Sequence, residues 1–280
     1  MTVRDDQFTL RFWGVRGSLP VPGPQTFRYG GNTTCLEINV AGHTIIVDAG
    51  SGAYGLGNRL LEEGRMHADL IFTHTHLDHV CGLPFFKPAY HCEGKFPCWA
   101  GHLDHGETLH DVLSRLMDPA LFPVPISSLK GSRLNMFKPG DTLALGPGIP
   151  VRTIALNHPG GCCGYRIDWR GKSVAIITDH EHGNPAIDAA VDEFVAGADM
   201  MIYDANFTDE EYVRFAGWGH STWQKAVELA ERANVGTVYI FHHAPHRNDD
   251  QLDRIRTAMG AISNRGAIAT EGDVIDVARL

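Results

Sequence analysis

The chain has 280 residues, 43% hydrophobic and 20% charged, a composition ordinary for a globular domain. Its formal charge of −9 argues against a broad electrostatic surface for long nucleic acid. No apolar run approaches the roughly 20 residues needed to cross a bilayer, so no membrane partner is expected.

The opening stretch "MTVRDDQFTLRFW" has no basic start followed by an apolar segment, which predicts no signal peptide and a cytoplasmic protein. The six cysteines are then expected as reduced thiols. A structural zinc site built from Cys92, Cys98, His91, His102 and His105 is the weaker alternative, because no CxxC knuckle is present.

The elements follow in chain order. "FTLRFWG" (8–14) reads as a strand, and 15–34 as a long Gly/Pro-punctuated loop. "CLEINV" and "HTIIVDAG" form a hairpin turning at Ala41–Gly42. "SGAYGLGNRLLEEG" has helical spacing and stops at Gly64. "ADLIFTH" is a buried strand that delivers His74. The segment 82–148 is irregular, with one helix halting near Pro119, and reads as an insert near the site or an association surface. A homodimer is left open.

From Val151 regular patterns return. Strands "VRTIALNH", "GYRIDW" and "SVAIITD" precede a helix over 185–195, the strand "ADMMIYD", and a helix in "STWQKAVELAERANV". For that helix Ser221 and Gln224 are spaced as a capping box. "GTVYIFHH", a helix from 249 to 259 and two short strands complete the chain. Mixed strands and helices with no long linker predict one layered α/β domain over 1–280.

His74, His158, Asp179, Asp204 and the pair His242–His243 each end a predicted strand, where a rigid sheet fixes loop residues relative to one another. The densest cluster is "THTHLDH" (73–79). His74 and His76 are two apart, which suits an extended segment rather than a helical face. Asp78 and His79 add a carboxylate and another imidazole. This set suits zinc, with iron and manganese as alternatives. A two-metal centre needs further ligands, for which His158, Asp179 and one of His242 or His243 are the candidates.

The run "THTHLDH" resembles the HxHxDH motif of the metallo-β-lactamase superfamily, and His158, Asp179 and a late histidine follow in the matching order. The resemblance implies a four-layer αββα sandwich of two mixed sheets flanked by helices. It also implies two divalent metal ions, zinc first, with His74, His76 and His158 on one and Asp78, His79 and a late histidine on the other. Asp179 would bridge them. For the late ligand we take His243, since the matching histidine of related phosphodiesterases aligns with the second of "FHH", and keep His242 as the alternative.

Three more stretches resemble the ribonuclease Z-like and cyclic-nucleotide phosphodiesterase-like branch: "NHPGGCCGYRI" (157–167), "DMMIYDANF" (199–207) and "GHST" (219–222). By that resemblance Asp204 and His220 form a catalytic pair beside the metals, and Asp78 counts with the catalytic groups. By the same resemblance the metals would supply a hydroxide to attack phosphorus, and His220 would protonate the departing alkoxide. A helix cap through Ser221 or Thr222 is compatible with this. Arg16, Ser18 and Asn32, in an opening loop that resembles bacterial metallo-hydrolases, either reach substrate or brace the loop.

The expected activity is hydrolysis of a small anionic phosphodiester, such as a cyclic nucleotide. A transfer-RNA 3′-end endonuclease is the alternative, disfavoured by the acidic charge and the lack of a basic, glycine-rich arm. Lactone, thioester or β-lactam hydrolysis gives no reason for Asp204 and His220. A non-catalytic module leaves a complete ligand set unexplained.

Overall fold

A computed structural model describes residues 6–103 and 106–280. The first half contains β1 (Phe8–Gly14), β2 (Cys35–Val40), β3 (His43–Val47), α1 (Ala53–Glu62) and β4 (Asp69–Phe72). The one-turn helix α2 (Leu77–Val80), β5 (Cys98–Ala100), α3 (Leu109–Leu116) and β6 (Leu134–Met136) follow. The second half has β7 (Thr142–Leu145), β8 (Ile149–Leu156), β9 (Cys162–Trp169), β10 (Lys172–Ile177), α4 (Pro185–Val195), β11 (Met200–Asp204) and α5 (Asp209–Phe215). It ends with α6 (Trp223–Arg232), β12 (Thr237–Phe241), α7 (Asp249–Ile262), β13 (Gly266–Ile268) and β14 (Val274–Asp276).

These strands make two seven-stranded sheets, ordered β14-β1-β2-β3-β4-β5-β6 and β13-β12-β11-β10-β9-β8-β7. Each sheet is mixed. In the first, β3 to β6 are joined in parallel and the other pairs are antiparallel. In the second, β10 to β13 run parallel and β7 to β10 are antiparallel.

The layering follows from strand periodicity, which sends alternate side chains to opposite faces. Val174 and Ile176 of β10 join Met200 and Ile202 of β11 in the core between the sheets, with Phe8, Leu10, Phe12, Ile38 and Ile45 opposite. Their neighbours Ala175, Ile177, Met201 and Tyr203 face outward against Val191, Val195, Ala226 and Met259 of α4, α6 and α7. On the far side, Ile46, Leu70 and Phe72 pack under Leu56, Leu60, Leu109 and Leu113 of α1 and α3. Each fully buried Ile, Leu or Phe contributes about 1.5–3 kcal/mol relative to exposure. The expected αββα sandwich is the observed fold.

Local rules account for most boundaries. Ala41 and Gly42 both have positive φ (49° and 80°), the type I′ geometry that matches strand twist in a two-residue hairpin. Helix α4 starts at Pro185 behind Asn184, whose side chain accepts from the Ala186 and Ile187 amides.

Two readings shift. The cap of α6 is Thr222, which accepts from the Lys225 amide, because Ser221 is occupied elsewhere: its amide faces Asp204 and its hydroxyl faces His182. The segment 82–148 supplies β5 and β6 to the first sheet and opens the second with β7. Its three- and four-residue strands are too short to show a period.

All six cysteines are unpaired. Among the described residues, no candidate metal group includes Cys92, Cys98, His91 or His102, and His105 lies outside them. No helix of the described residues is long and apolar enough to cross a membrane.

Candidate metal centre

Strands β10, β11 and β12 run parallel, and β8 shares their direction through two antiparallel steps, so their carboxyl ends open on one edge. His158 follows β8, Asp179 follows β10, Asp204 ends β11 and His242 follows β12. Strand β4 of the other sheet brings the "THTHLDH" turn to meet them. After the extended His76, the chain enters α2, so Asp78 and His79 sit in a single helical turn.

Overlapping groups of donors result among the described residues: His74, His76 and His158 form one, Asp78, His79 and His242 a second, and Asp179 falls in two more, with His74 and His79 and with Asp204, His220 and His242. His158 Nε2 lies 3.1 Å from His76 Nδ1. Oδ2 of Asp78 is 3.4 Å from His79 Nε2 and 3.2 Å from His242 Nε2. Asp179 stands between the groups, 3.3 Å from His79 Nε2, 3.2 Å from His242 Nε2 and 3.9 Å from His74 Nε2. Zinc bonds of about 2.1 Å put tetrahedral ligands about 3.4 Å apart, so these separations fit cation shells.

The surrounding hydrogen bonds turn lone pairs inward. His79 Nδ1 donates to Asp48 Oδ2 at 2.8 Å, and His158 Nδ1 donates to the Gly219 carbonyl at 2.8 Å. The Thr73 hydroxyl donates to Asp48 at 2.8 Å and so accepts from His74 Nδ1 at 3.2 Å. In each case Nε2 is left to face the centre, the arrangement by which outer groups orient metal-binding histidines. Nε2 of His74 and of His79 are buried with no hydrogen-bond partner. Buried nitrogens left bare among carboxylates are costly, and divalent cations would satisfy them. The residues fit the implied metals.

Electrostatics point the same way. Burial opposes charge on His79, yet Asp179, Asp78 and Asp48 outweigh it and hold the imidazole well above its ordinary value. Burial also works against ionised Asp179 and Asp78, but the neighbouring imidazoles push both carboxyls well below the usual range. Burial, with the other histidines, holds His74 well below its ordinary value. Such a cluster must take up protons or cations.

Of the two late histidines, the structure brings His242, and not the expected His243, among the other donors. At His242 the backbone is left-handed (φ 60°), which breaks the alternation of β12 and swings the ring inward past Gly17, where a Cβ would lie 2.2 Å from it. His243 turns away: its Nε2 donates to the Ala269 carbonyl at 2.9 Å and its amide to Val15 at 2.9 Å. Burial, with Arg16 nearby, depresses His243 to about 3, so it is neutral.

Asp204 and His220 lie together beside the centre, with Oδ2 2.7 Å from Nδ1. Burial lowers the His220 pKa, but Asp204 outweighs it, with Asp179 and Asp78 adding, and the imidazole rises to about 9. Cations at Asp78 and Asp179 would offset those two smaller contributions and oppose charge on the ring, so Asp204 is the contribution that remains to raise it.

The opening loop is a brace. Fully buried Arg16 donates to the carbonyls of Gly30 (2.7 Å) and Arg247 (2.5 Å). Asn32 bonds Glu271 and Ser51. The Ser18 amide donates to Asp78 Oδ2 at 2.6 Å, aiming that carboxylate. Sequence reasoning missed Asp48, read as a strand end, and Asn206, whose amide lies 3.2 Å from His242 Nδ1. The pattern "VDAG" before a Gly-rich turn was the available hint for Asp48. Ser18, Asp48, Asp179 and His242 all have φ near 60°, a conformation L-residues rarely adopt.

Comparison with known proteins places this geometry. A family profile described as beta-lactamase superfamily domain matches residues 43–243. The chain is 23% identical to a ribonuclease Z of Gemmatimonas aurantiaca, over 96% of each chain. The structure superposes on the metallo-beta-lactamase fold protein YhfI from Bacillus subtilis with a TM-score of 0.72 at 18% identity, covering 96% of this chain and 99% of that one. It also superposes on a diphosphatase of the PhnP family (TM-score 0.70, 18% identity, 96% and 97% covered). The chain belongs to the beta-lactamase superfamily and is a metal-dependent hydrolase of the metallo-β-lactamase fold.

Proposed function

We propose that the protein is a phosphodiesterase with two divalent cations, acting on small anionic esters of the cyclic-nucleotide type. His74, His76 and His158 would hold one cation and Asp78, His79 and His242 the other, with Asp179 between the two sites. Zinc is the first choice for this nitrogen-rich set. When bound, the cations polarise phosphoryl oxygens and make water a competent nucleophile at neutral pH.

The observation that carries the reading is the Asp204–His220 pair beside the centre. Asp204 occupies Nδ1, so the transferable proton of His220 is on Nε2. An alkoxide leaving phosphorus is strongly basic and gains most from such a donor. Asp78, aimed by the Ser18 amide, and Asp179 keep the two cation sites adjacent.

The relatives named ribonuclease Z support phosphodiester chemistry and keep an RNA substrate as the second reading. The small-ester reading rests on the charge of −9 and on the use of 82–148 to extend the sheets. The unpaired cysteines suit our assignment to the cytoplasm.

The test is turnover by zinc-loaded protein of bis(p-nitrophenyl) phosphate, cyclic AMP, an unstructured RNA, a lactone and nitrocefin. Hydrolysis of the first two is expected. Cleavage of RNA alone moves the assignment to the second reading, and turnover of nitrocefin alone overturns it.

A further inference from the structure

Glu181 lies two residues beyond Asp179 and is buried. Its backbone is paired on both sides with Asn157, the residue before His158: the Glu181 amide donates to the Asn157 carbonyl at 2.8 Å, and Asn157 Nδ2 donates back at 2.8 Å. Its carboxylate reaches the loop after α5. Oε1 accepts from the Gly217 amide at 2.6 Å and the Tyr212 hydroxyl at 2.9 Å, while Oε2 accepts from the Gly219 amide at 2.7 Å.

That loop is a short Gly-Trp-Gly turn leading into His220. Gly217 and Gly219 have φ of 91° and 86°, which only glycine adopts freely. A Cβ on Gly219 would lie 2.3 Å from His158 Nδ1. The backbone therefore runs against His158, and the Gly219 carbonyl fixes the tautomer of that ring. Within the turn the Trp218 amide donates to the Phe215 carbonyl at 3.1 Å, and the amides of the glycines on either side of Trp218 are taken by Glu181. The carboxylate spans both amides, and an amide side chain has one acceptor oxygen where a carboxylate has two.

We infer that Glu181 is a positioning residue which, by clamping the Gly217 and Gly219 amides, places His220 for proton donation and His158 for holding the first cation. The activity readout below rests on the phosphodiesterase reading; the zinc readout does not.

The test uses Glu181→Gln and Glu181→Asp in the zinc-loaded full chain. Glu181→Asp keeps the charge at shorter reach, and serves if the amide variant does not fold. The first readout is kcat and KM on bis(p-nitrophenyl) phosphate across pH. The second is zinc retention against a graded chelator.

The expected result is a kcat lower by about 10- to 100-fold, with KM little changed and the alkaline fall of activity displaced. One of two zinc equivalents should leave at about tenfold lower chelator, the other being unaffected. In a His220→Ala background the Glu181→Gln substitution should cost little more, since both act on one proton transfer. Wild-type kcat with wild-type zinc retention, equal weakening of both zincs, or losses that multiply with His220→Ala would overturn the inference. If the wild-type protein does not turn over the ester, the phosphodiesterase reading fails, and zinc retention alone decides for or against Glu181.

Discussion

Nδ1 of His220 lies 2.7 Å from Oδ2 of Asp204, while Asp204 Oδ1 accepts from the Asn206 amide at 3.0 Å and faces the Ser221 amide at 3.3 Å. The carboxylate is thus engaged by the dyad and its own loop. Replacing Asp204 by Asn should leave two metal equivalents in place and lower kcat by about 100-fold, the usual scale of general-acid assistance. The sign of the pH effect is set: Asp204 is the largest of the contributions that raise His220 against its burial, so its loss lowers that value and the alkaline fall of activity begins at lower pH. Full pH–rate profiles with metal analysis check this. An unmoved alkaline limb would remove His220 as the acid.

His242 and His243 are adjacent and both buried, yet they should behave oppositely. His242→Ala is expected to bind one metal equivalent instead of two and to lose at least about 100-fold in activity. His243→Ala should keep both metals and lose about 1–3 kcal/mol of stability, from the cavity and the broken bond to Ala269. Elemental analysis and denaturant unfolding distinguish the two.

Asp48 is not one of the proposed ligands, but it holds His79 and Thr73. Asp48→Asn should weaken metal retention by about 10- to 100-fold with the fold intact. Competition with a chromogenic chelator measures this, and unchanged retention would show that Thr73 and the helical turn suffice to orient His79.

Metal-free protein should lose stability as pH rises from about 6.5 to 9. His79 is held well above its ordinary value and His220 is raised to about 9, so in this window the folded state carries two protons that the unfolded chain has released. Their contribution is complete below the unfolded value and is lost through the folded ones. With zinc bound, His79 is deprotonated throughout and its share of the slope vanishes. Thermal unfolding of the two forms between these limits decides it, and parallel slopes would contradict the proton-for-cation exchange.

Much of the site was legible because its chemistry is local. The "THTHLDH" run and the strand-ending positions of His158, Asp179 and Asp204 depend on alternating apolar patterns that a reader can follow. The choice between His242 and His243 was not legible, because it turns on one left-handed φ, which no pattern of side chains encodes. Asp48 was missed since its partner, His79, is 31 residues away. Helix α5 escaped because its seven residues bury none of their own side chains and present no apolar stripe. Strands β5, β6 and β7 exist because neighbouring strands template them, so their evidence lies outside their own residues.

At the site, the left-handed residues Ser18, Asp48, Asp179 and His242 each disfavour the native backbone by about 1–2 kcal/mol relative to glycine. Selecting this hydrolase for heat resistance alone would therefore reward glycine at the very places where its chemistry is assembled. A laboratory evolution screen that scores folding without turnover should drift toward sturdier, inert proteins.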